Sequence, residues 1–334
     1  MKLLTAPVAS ALATALLAAC SLTGLTATTA EAAGSTTLDY LVDPHAGTHK
    51  AIPGTEVVFD AAAGTNSYLR ATDLGVSNVD ALAAGDNIGN TFSIRCRYAD
   101  GTALPTGEEA GAYWATNLVP PGETSLAPIL RWLFTAPTTD RYQCNLAVTS
   151  YSTIIKNGRE VTMRIPAGAQ LLRSQYKSGD SWTLPKAETT VLARGTSTPV
   201  MEHTYVPTGS GRTTVVMDAA LTTCKPLSSL CAGGTSGYTG TQARTWIEAQ
   251  PRNADGTPCG PLLKSTARTW SISTPKHHMT ATNSLYIDPA QTTHCADLHL
   301  TMIIKNAEGN PLNIHAGWTT GTIAATHALA VTAA

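Results

Sequence analysis

Apolar residues along this chain come in short runs rich in Val, Ile, Thr and Tyr, bounded by Gly, Pro, Asn or Asp, and rarely at helical spacing. Glu56–Asp60, Thr91–Tyr98, Tyr142–Ser150, Glu160–Ile165, Thr213–Met217 and His299–Ile304 read as strands. Within Tyr142–Ser150, Tyr142, Cys144, Leu146 and Val148 fall on one face, while Gln143, Asn145 and Thr149 fall on the other. A period of two predicts a sheet buried on one side. Ala99-Asp100-Gly101 predicts a turn, and Lys156-Asn157-Gly158 predicts a hairpin between two strands. Ser125–Phe134 alone suggests a short helix, interrupted by Pro128. The fold class expected is all-β.

Self-similarity sets the expected domain count. Val57-Val58-Phe59-Asp60-Ala61-Ala62 returns as Val215-Val216-Met217-Asp218-Ala219-Ala220. Ala99-Asp100-Gly101-Thr102 returns as Ala254-Asp255-Gly256-Thr257, and Ile154-Ile155-Lys156-Asn157 as Ile303-Ile304-Lys305-Asn306. The matches keep their order, 158, 155 and 149 residues apart. They predict two tandem β-sandwich domains related by internal duplication, over 36–194 and 195–334.

Residues 1–32 read as an export signal: Met1-Lys2, then an Ala/Leu-rich stretch from Leu3 to Cys20. Two cleavage points fit. Leu17-Ala18-Ala19-Cys20 resembles the lipobox of bacterial lipoproteins, with cleavage after Ala19 and a lipid anchor on Cys20; Ala30-Glu31-Ala32 fits an ordinary signal peptidase cutting after Ala32. No other apolar run reaches the length of a spanning helix, so no transmembrane segment is expected. Charged residues are only 13 % of the chain, 22 basic against 23 acidic. That balance argues against nucleic acid as a partner, because phosphate recognition needs a basic footprint.

Seven cysteines less Cys20 leave six, an even number suited to an oxidising compartment. Six cysteines allow fifteen pairings. The repeat narrows them: Cys96 and Cys144 flank one copy, and Cys259 and Cys295 the other, so each pair is expected to staple its own domain. Cys224 and Cys231 remain, on either side of the loop Lys225–Leu230, and are expected to pair with each other.

Asp140-Arg141-Tyr142-Gln143-Cys144 resembles the tyrosine corner of immunoglobulin-like domains, with a Tyr two residues before the second disulfide cysteine. The resemblance makes Cys96 the first cysteine and Trp114 the tryptophan packed on the bridge, and it implies a two-sheet sandwich. The second copy departs from the pattern, with Thr293 where the tyrosine belongs.

Candidate chemistry is sparse. His294-Cys295 with His299, the pair His277-His278, and Asp43 with His45 and His49 are the densest groups of potential ligands. A disulfide sulfur is a poor metal ligand, and adjacent residues on an extended chain diverge, so no metal or other cofactor is expected. Gly179-Asp180-Ser181 lacks the G-x-S-x-G elbow and reads as a hairpin turn. Gly-rich Ala232–Gly240 lacks the Lys-Ser/Thr of a phosphate loop. No catalytic residue is assigned. Six Trp and ten Tyr against three Phe favour half-wet aromatic surfaces, and Trp182, Trp246, Trp270 and Trp318 are the candidates for ligand stacking. These features together predict an exported, non-catalytic binding or scaffolding protein of the bacterial cell surface or extracellular medium, its partner an extracellular protein or glycan. The alternatives are a secreted hydrolase with loop-borne catalytic residues, or a secreted enzyme inhibitor presenting the Cys224–Cys231 loop.

Overall fold

A computed structural model describes residues 34–44, 49–105, 110–119, 123–184, 190–224, 237–316 and 322–334. The export signal, Cys20, His45, the loop 225–230, Cys231 and Trp318 lie outside these residues. Its regular secondary structure is almost entirely strand. Its first half contains β1 (Leu38–Leu41), β2 (Lys50–Ala51), β3 (Val57–Ala61), β4 (Asn66–Thr72), β5 (Val76–Asn78) and β6 (Asn87–Tyr98). There follow β7 (Ala110–Leu118), β8 (Ser125–Leu126), β9 (Arg131–Thr135), β10 (Asp140–Ile154), β11 (Thr162–Ile165) and β12 (Gln170–Gln175). The second half contains β13 (Ser178–Thr183), β14 (Thr190–Leu192), β15 (Ser197–Tyr205), β16 (Thr213–Thr223), β17 (Gly240–Arg252) and β18 (Leu263–Lys264). It closes with β19 (Arg268–Ser273), β20 (His278–Ile287), β21 (Asp297–Gly309), β22 (Leu312–His315), β23 (Thr322–Ala324) and β24 (His327–Thr332).

One antiparallel connectivity occurs twice. In the first half, four strands run in the order β3-β10-β6-β7 and three in the order β12-β4-β9. In the second, the orders are β15-β21-β17-β19 and β24-β16-β20, the same positions in chain order, with β13 added beyond β24. With that strand the second half has the four-on-four arrangement of a jelly roll. Each half buries its own apolar set: one cluster runs from Tyr40 to Leu171, the other from Leu184 to Ala330. β13 and β14 lie before residue 195 yet pair with β24 and β22 of the second half.

The halves are joined by more than a linker. Thr116 of β7 pairs with Met279 of β20, and β23 runs parallel to β7, which makes one twelve-stranded sheet of strands from both halves. Beside this seam the half-buried guanidinium of Arg131 grips both oxygens of buried Asp218 (Nε–Oδ2 3.1 Å, Nη2–Oδ1 3.0 Å). Its remaining donors reach Ser284 Oγ and the Asn283 carbonyl, while His327 Nε2 lies 3.1 Å from the Arg131 carbonyl oxygen. A buried ion pair survives only when its hydrogen-bonding capacity is met in this way. Leu133 packs with Val216, Leu329 and Val331 alongside it.

The three sequence matches fare differently. Tyr98–Thr102 and Asn253–Thr257 build the same turn: Asp100 and Asp255 each accept from the backbone N–H two residues on, at 2.8 and 3.0 Å. Gly101 and Gly256 take φ of 91° and 82°, the left-handed conformation the turn needs. The Ile-Ile-Lys-Asn copies are out of step: the first starts on the last residue of β10 and runs into the turn at Lys156–Gly158, while the second lies within β21, where Ile303 faces Trp246 at the position where Thr149 faces Thr91, five residues short of Ile154. The Val-Val copies lie in β3 and β16, which hold different places in the connectivity.

Cys96 and Cys144 are bonded, as are Cys259 and Cys295. Cys224 is also disulfide-bonded. The first bridge joins directly opposed residues of β6 and β10, neighbours in one sheet. An immunoglobulin bridge joins the two sheets instead. Trp114 stands opposite Phe92, four residues along β6 from the bridge. The corner itself is present: Tyr142 Oη donates to the Thr138 carbonyl (2.5 Å) and accepts from the Thr138 N–H (3.1 Å). The resemblance therefore reaches the sandwich and the corner but not the immunoglobulin strand order.

Three local expectations are corrected. Ser125–Phe134 forms β8 and the start of β9 rather than a helix. Asn157 and Gly158 both take positive φ, as a tight hairpin turn requires, yet β11 pairs with β1 and β5, so the turn sends the chain to another sheet. The second face of β10 is not solvated, because the segment at His49 lies over it: His49 Nδ1 is 3.2 Å from Ser93 Oγ, opposite Ala147. Asn145 and Thr149 are buried as a result.

Candidate ligand-binding face

β17 sorts its residues by strict alternation. Thr241, Ala243, Thr245, Ile247 and Ala249 are buried, and Gln242, Arg244, Trp246, Glu248 and Gln250 point to the solvent side. β21 does the same, burying Leu298, Leu300, Met302 and Ile304 beneath half-exposed His299, Thr301, Ile303 and Lys305. Register then assembles the face. Trp246 lies opposite Ile303, and Ile303 opposite Pro199 of β15, so an apolar row crosses three strands. Arg244 lies opposite Lys305 on one side of that row, and Glu248 opposite Lys264 of β18 on the other.

The indole of Trp246 is held in place. Its Nε1–H donates to Glu248 Oε1 at 3.0 Å, and Lys264 Nζ approaches the same oxygen at 2.8 Å. Burial works to raise the Glu248 carboxyl, but the bonds from Lys264 and Trp246 outweigh it and hold the group below the ordinary carboxylate range. Between these side chains lies an open groove of about 320 Å³, lined by Arg244, Trp246, Lys264, Ser265, Ala267 and Lys305. Half-exposed aromatic surface beside fixed donors and charges suits a ligand with one apolar face and a polar rim, such as a sugar ring.

The other tryptophans are placed differently. Trp182 stacks on His203 (ring centroids 4.3 Å, planes 15° apart) where β13 and β15 edge the two sheets. His203 Nε2 in turn lies 2.5 Å from Asp180 Oδ2. Trp270 faces inward, packs against the second core and donates to Thr245 Oγ1. Gly179–Ser181, expected as a hairpin turn, lies within strand β13. His294 is exposed while Cys295 is committed to Cys259, and the His277 and His278 rings stand 6.0 Å apart at 77°. Among the described residues no three His, Cys, Asp or Glu side chains gather as a metal site.

Trp246 was accessible to sequence reasoning only as one of four tryptophans picked out by the skew of aromatic content toward Trp and Tyr. Arg244, Lys264 and Lys305 were not, since only strand register brings them to the same groove.

No protein-family model matches the chain, and no curated protein matches it. Among solved structures it is similar to PNGase F, a glycosylasparaginase from Flavobacterium meningosepticum, at 12 % identity and TM-score 0.34, over 89 % of this chain and 96 % of that one. It is also similar to the CBM22-1–CBM22-2 tandem domain of Paenibacillus barcinonensis Xyn10C, at 9 % identity and TM-score 0.27, over 90 % and 99 %. A third similarity is to infectious bursal disease virus, Gt strain, at 10 % identity and TM-score 0.24, over 90 % and 80 %. Likenesses at these TM-scores carry nothing about what this chain binds.

Proposed function

We propose that this chain is an exported, non-catalytic binding protein of the cell surface or extracellular medium, and that it recognises glycan on the outer face of the sheet β15-β21-β17. Its disulfides belong to a protein matured in an oxidising compartment. None of its described helices is long and apolar enough to cross a membrane. The two halves, each with its own core and the same strand order, are read as duplicated modules: the first supplies a stapled scaffold, the second the binding face.

The observation that carries the proposal is Trp246, a tryptophan at a solvent-side position of a β-sheet, its ring fixed by Glu248 and continued by Ile303 and Pro199. A pre-set aromatic surface loses little side-chain freedom on binding, which favours affinity. Trp246→Ala is expected to weaken glycan binding by about tenfold or more, equivalent to roughly 1.4 kcal/mol, with the melting temperature little changed. Glycan-array screening followed by titration calorimetry on the full exported chain tests it. A Trp246→Ala protein that keeps wild-type affinity would place the binding elsewhere.

A further inference from the structure

The groove beside Trp246 holds more positive charge than its surroundings balance. Arg244 and Lys305 lie directly opposite each other on the solvent side, and neither meets a carboxylate among the described residues. Like charges so placed on one sheet face repel and weaken the pairing, an arrangement that an anion between them reverses. Lys264 brings a third cation to the same groove, and Glu248 is the carboxylate that answers it. Ser265 and Ala267 complete the wall with small side chains, which leaves room above the strands. A guanidinium is a planar fork that matches a carboxylate through two parallel hydrogen bonds, and an ammonium adds a point charge beside it.

We propose that this groove takes a sugar bearing a carboxylate, a uronic acid unit of an acidic polysaccharide. Arg244 and Lys305 bind the carboxylate, and Trp246 lies against the ring. The assignment rests on the glycan-binding reading above and gives it a ligand class.

The test titrates the full exported chain with a polyuronate oligosaccharide, a sulfated glycosaminoglycan oligosaccharide and a neutral xylan oligosaccharide. The polyuronate is expected to bind best. Raising NaCl from about 50 to about 500 mM should weaken that binding several-fold, because screening shortens the reach of exposed charges. The double variant Arg244→Gln/Lys305→Gln should lose about tenfold in affinity, an equivalent of roughly 1.4 kcal/mol, and most of the salt dependence. Both residues are solvent-side, so its melting temperature should match wild type; if that variant folds poorly, the single Lys305→Gln carries the same test. Equal binding of the neutral xylan, unaffected by salt or by the double variant yet lost in Trp246→Ala, overturns the acidic-sugar assignment and leaves the glycan-binding reading standing. Preference for the sulfated polymer overturns the carboxylate assignment alone. A folded protein that binds none of the three overturns the acidic-sugar assignment, and the glycan-binding reading falls with it only if the glycan array also registers no ligand.

Discussion

Tyr142 shows how much one side chain can set. Its ring is fully buried and packs on Phe134 at 4.9 Å between centroids and on Tyr98 at 5.4 Å. Its hydroxyl meanwhile closes the turn before β10 by bonding the backbone of Thr138 on both its N–H and its carbonyl. Tyr142→Phe keeps the packing and removes only the hydroxyl, so it isolates the corner. Thr138 is exposed, so its backbone groups can turn to water, and we expect a loss of about 1 kcal/mol, the ordinary net contribution of a hydrogen bond, read from the urea midpoint with an unchanged slope. An unchanged midpoint would mean that water replaces the hydroxyl at no cost. The corner was legible from Tyr142-Gln-Cys144 spacing because it is made within five residues. What Arg244 and Lys305 do together was not, because they are 61 residues apart in sequence and meet only through the register of β17 with β21.

At the scale of elements, alternation and turn chemistry located β6, β10, β16 and β21 among the long strands but not β7, β15, β17 or β20, since both signals act over a handful of neighbouring residues. Partner choice was less legible. Lys156-Asn157-Gly158 adopts the tight turn its residues favour, but β11 finds its partners in β1 and β5, where its Met163 and Ile165 are buried in the first core. Ser125–Phe134 lost its helix to sheet contacts for the same reason: β9 pairs along β4 from Asn66 to Arg70. The cysteines were easier, because the sequence matches put Cys96 and Cys144 in one strand pair, β6 with β10, and Cys259 and Cys295 in the segments just after β17 and just before β21. The two bridges close loops of 48 and 36 residues in sequence separation. On the chain-entropy model each stabilises by about 4 kcal/mol. Cys96→Ala/Cys144→Ala should therefore lower the unfolding free energy by about that amount plus the cost of two small buried cavities, measured by guanidinium titration. A loss below about 1 kcal/mol would show that the unfolded chain keeps the two strands together without the bond.

Across the whole molecule, buried imidazoles make stability depend on pH. Burial, with Arg95 nearby, pushes His49 down to about 4. Burial, with His277 nearby, pushes His315 down to about 4 as well. Desolvation by burial also lowers His327, against the opposing pull of Asp218. Unfolded, each takes a proton near the ordinary imidazole value of 6.5. Between that value and about 4 the unfolded chain binds more protons than the folded one, so stability is full above 6.5 and falls as the pH drops through this window. Melting temperatures from pH 7.5 down to 4.5 should decline, and His315→Asn should flatten the decline. A profile level across this range would show that the buried rings protonate without opposition.

The sequence by itself determined the all-β class, several of the strand positions, the turn at Asp100 and its copy at Asp255, and the residues that alternate inward on β10, because backbone preference and side-chain phase are settled between near neighbours. Tertiary structure decided the jelly-roll order, the placing of a disulfide within one sheet, the Arg131–Asp218 junction and the pairing of Arg244 with Lys305. Those outcomes depend on which strands share a hydrogen-bonded edge and in what register, and that choice is made by the burial of whole faces, a quantity no short stretch of chain contains.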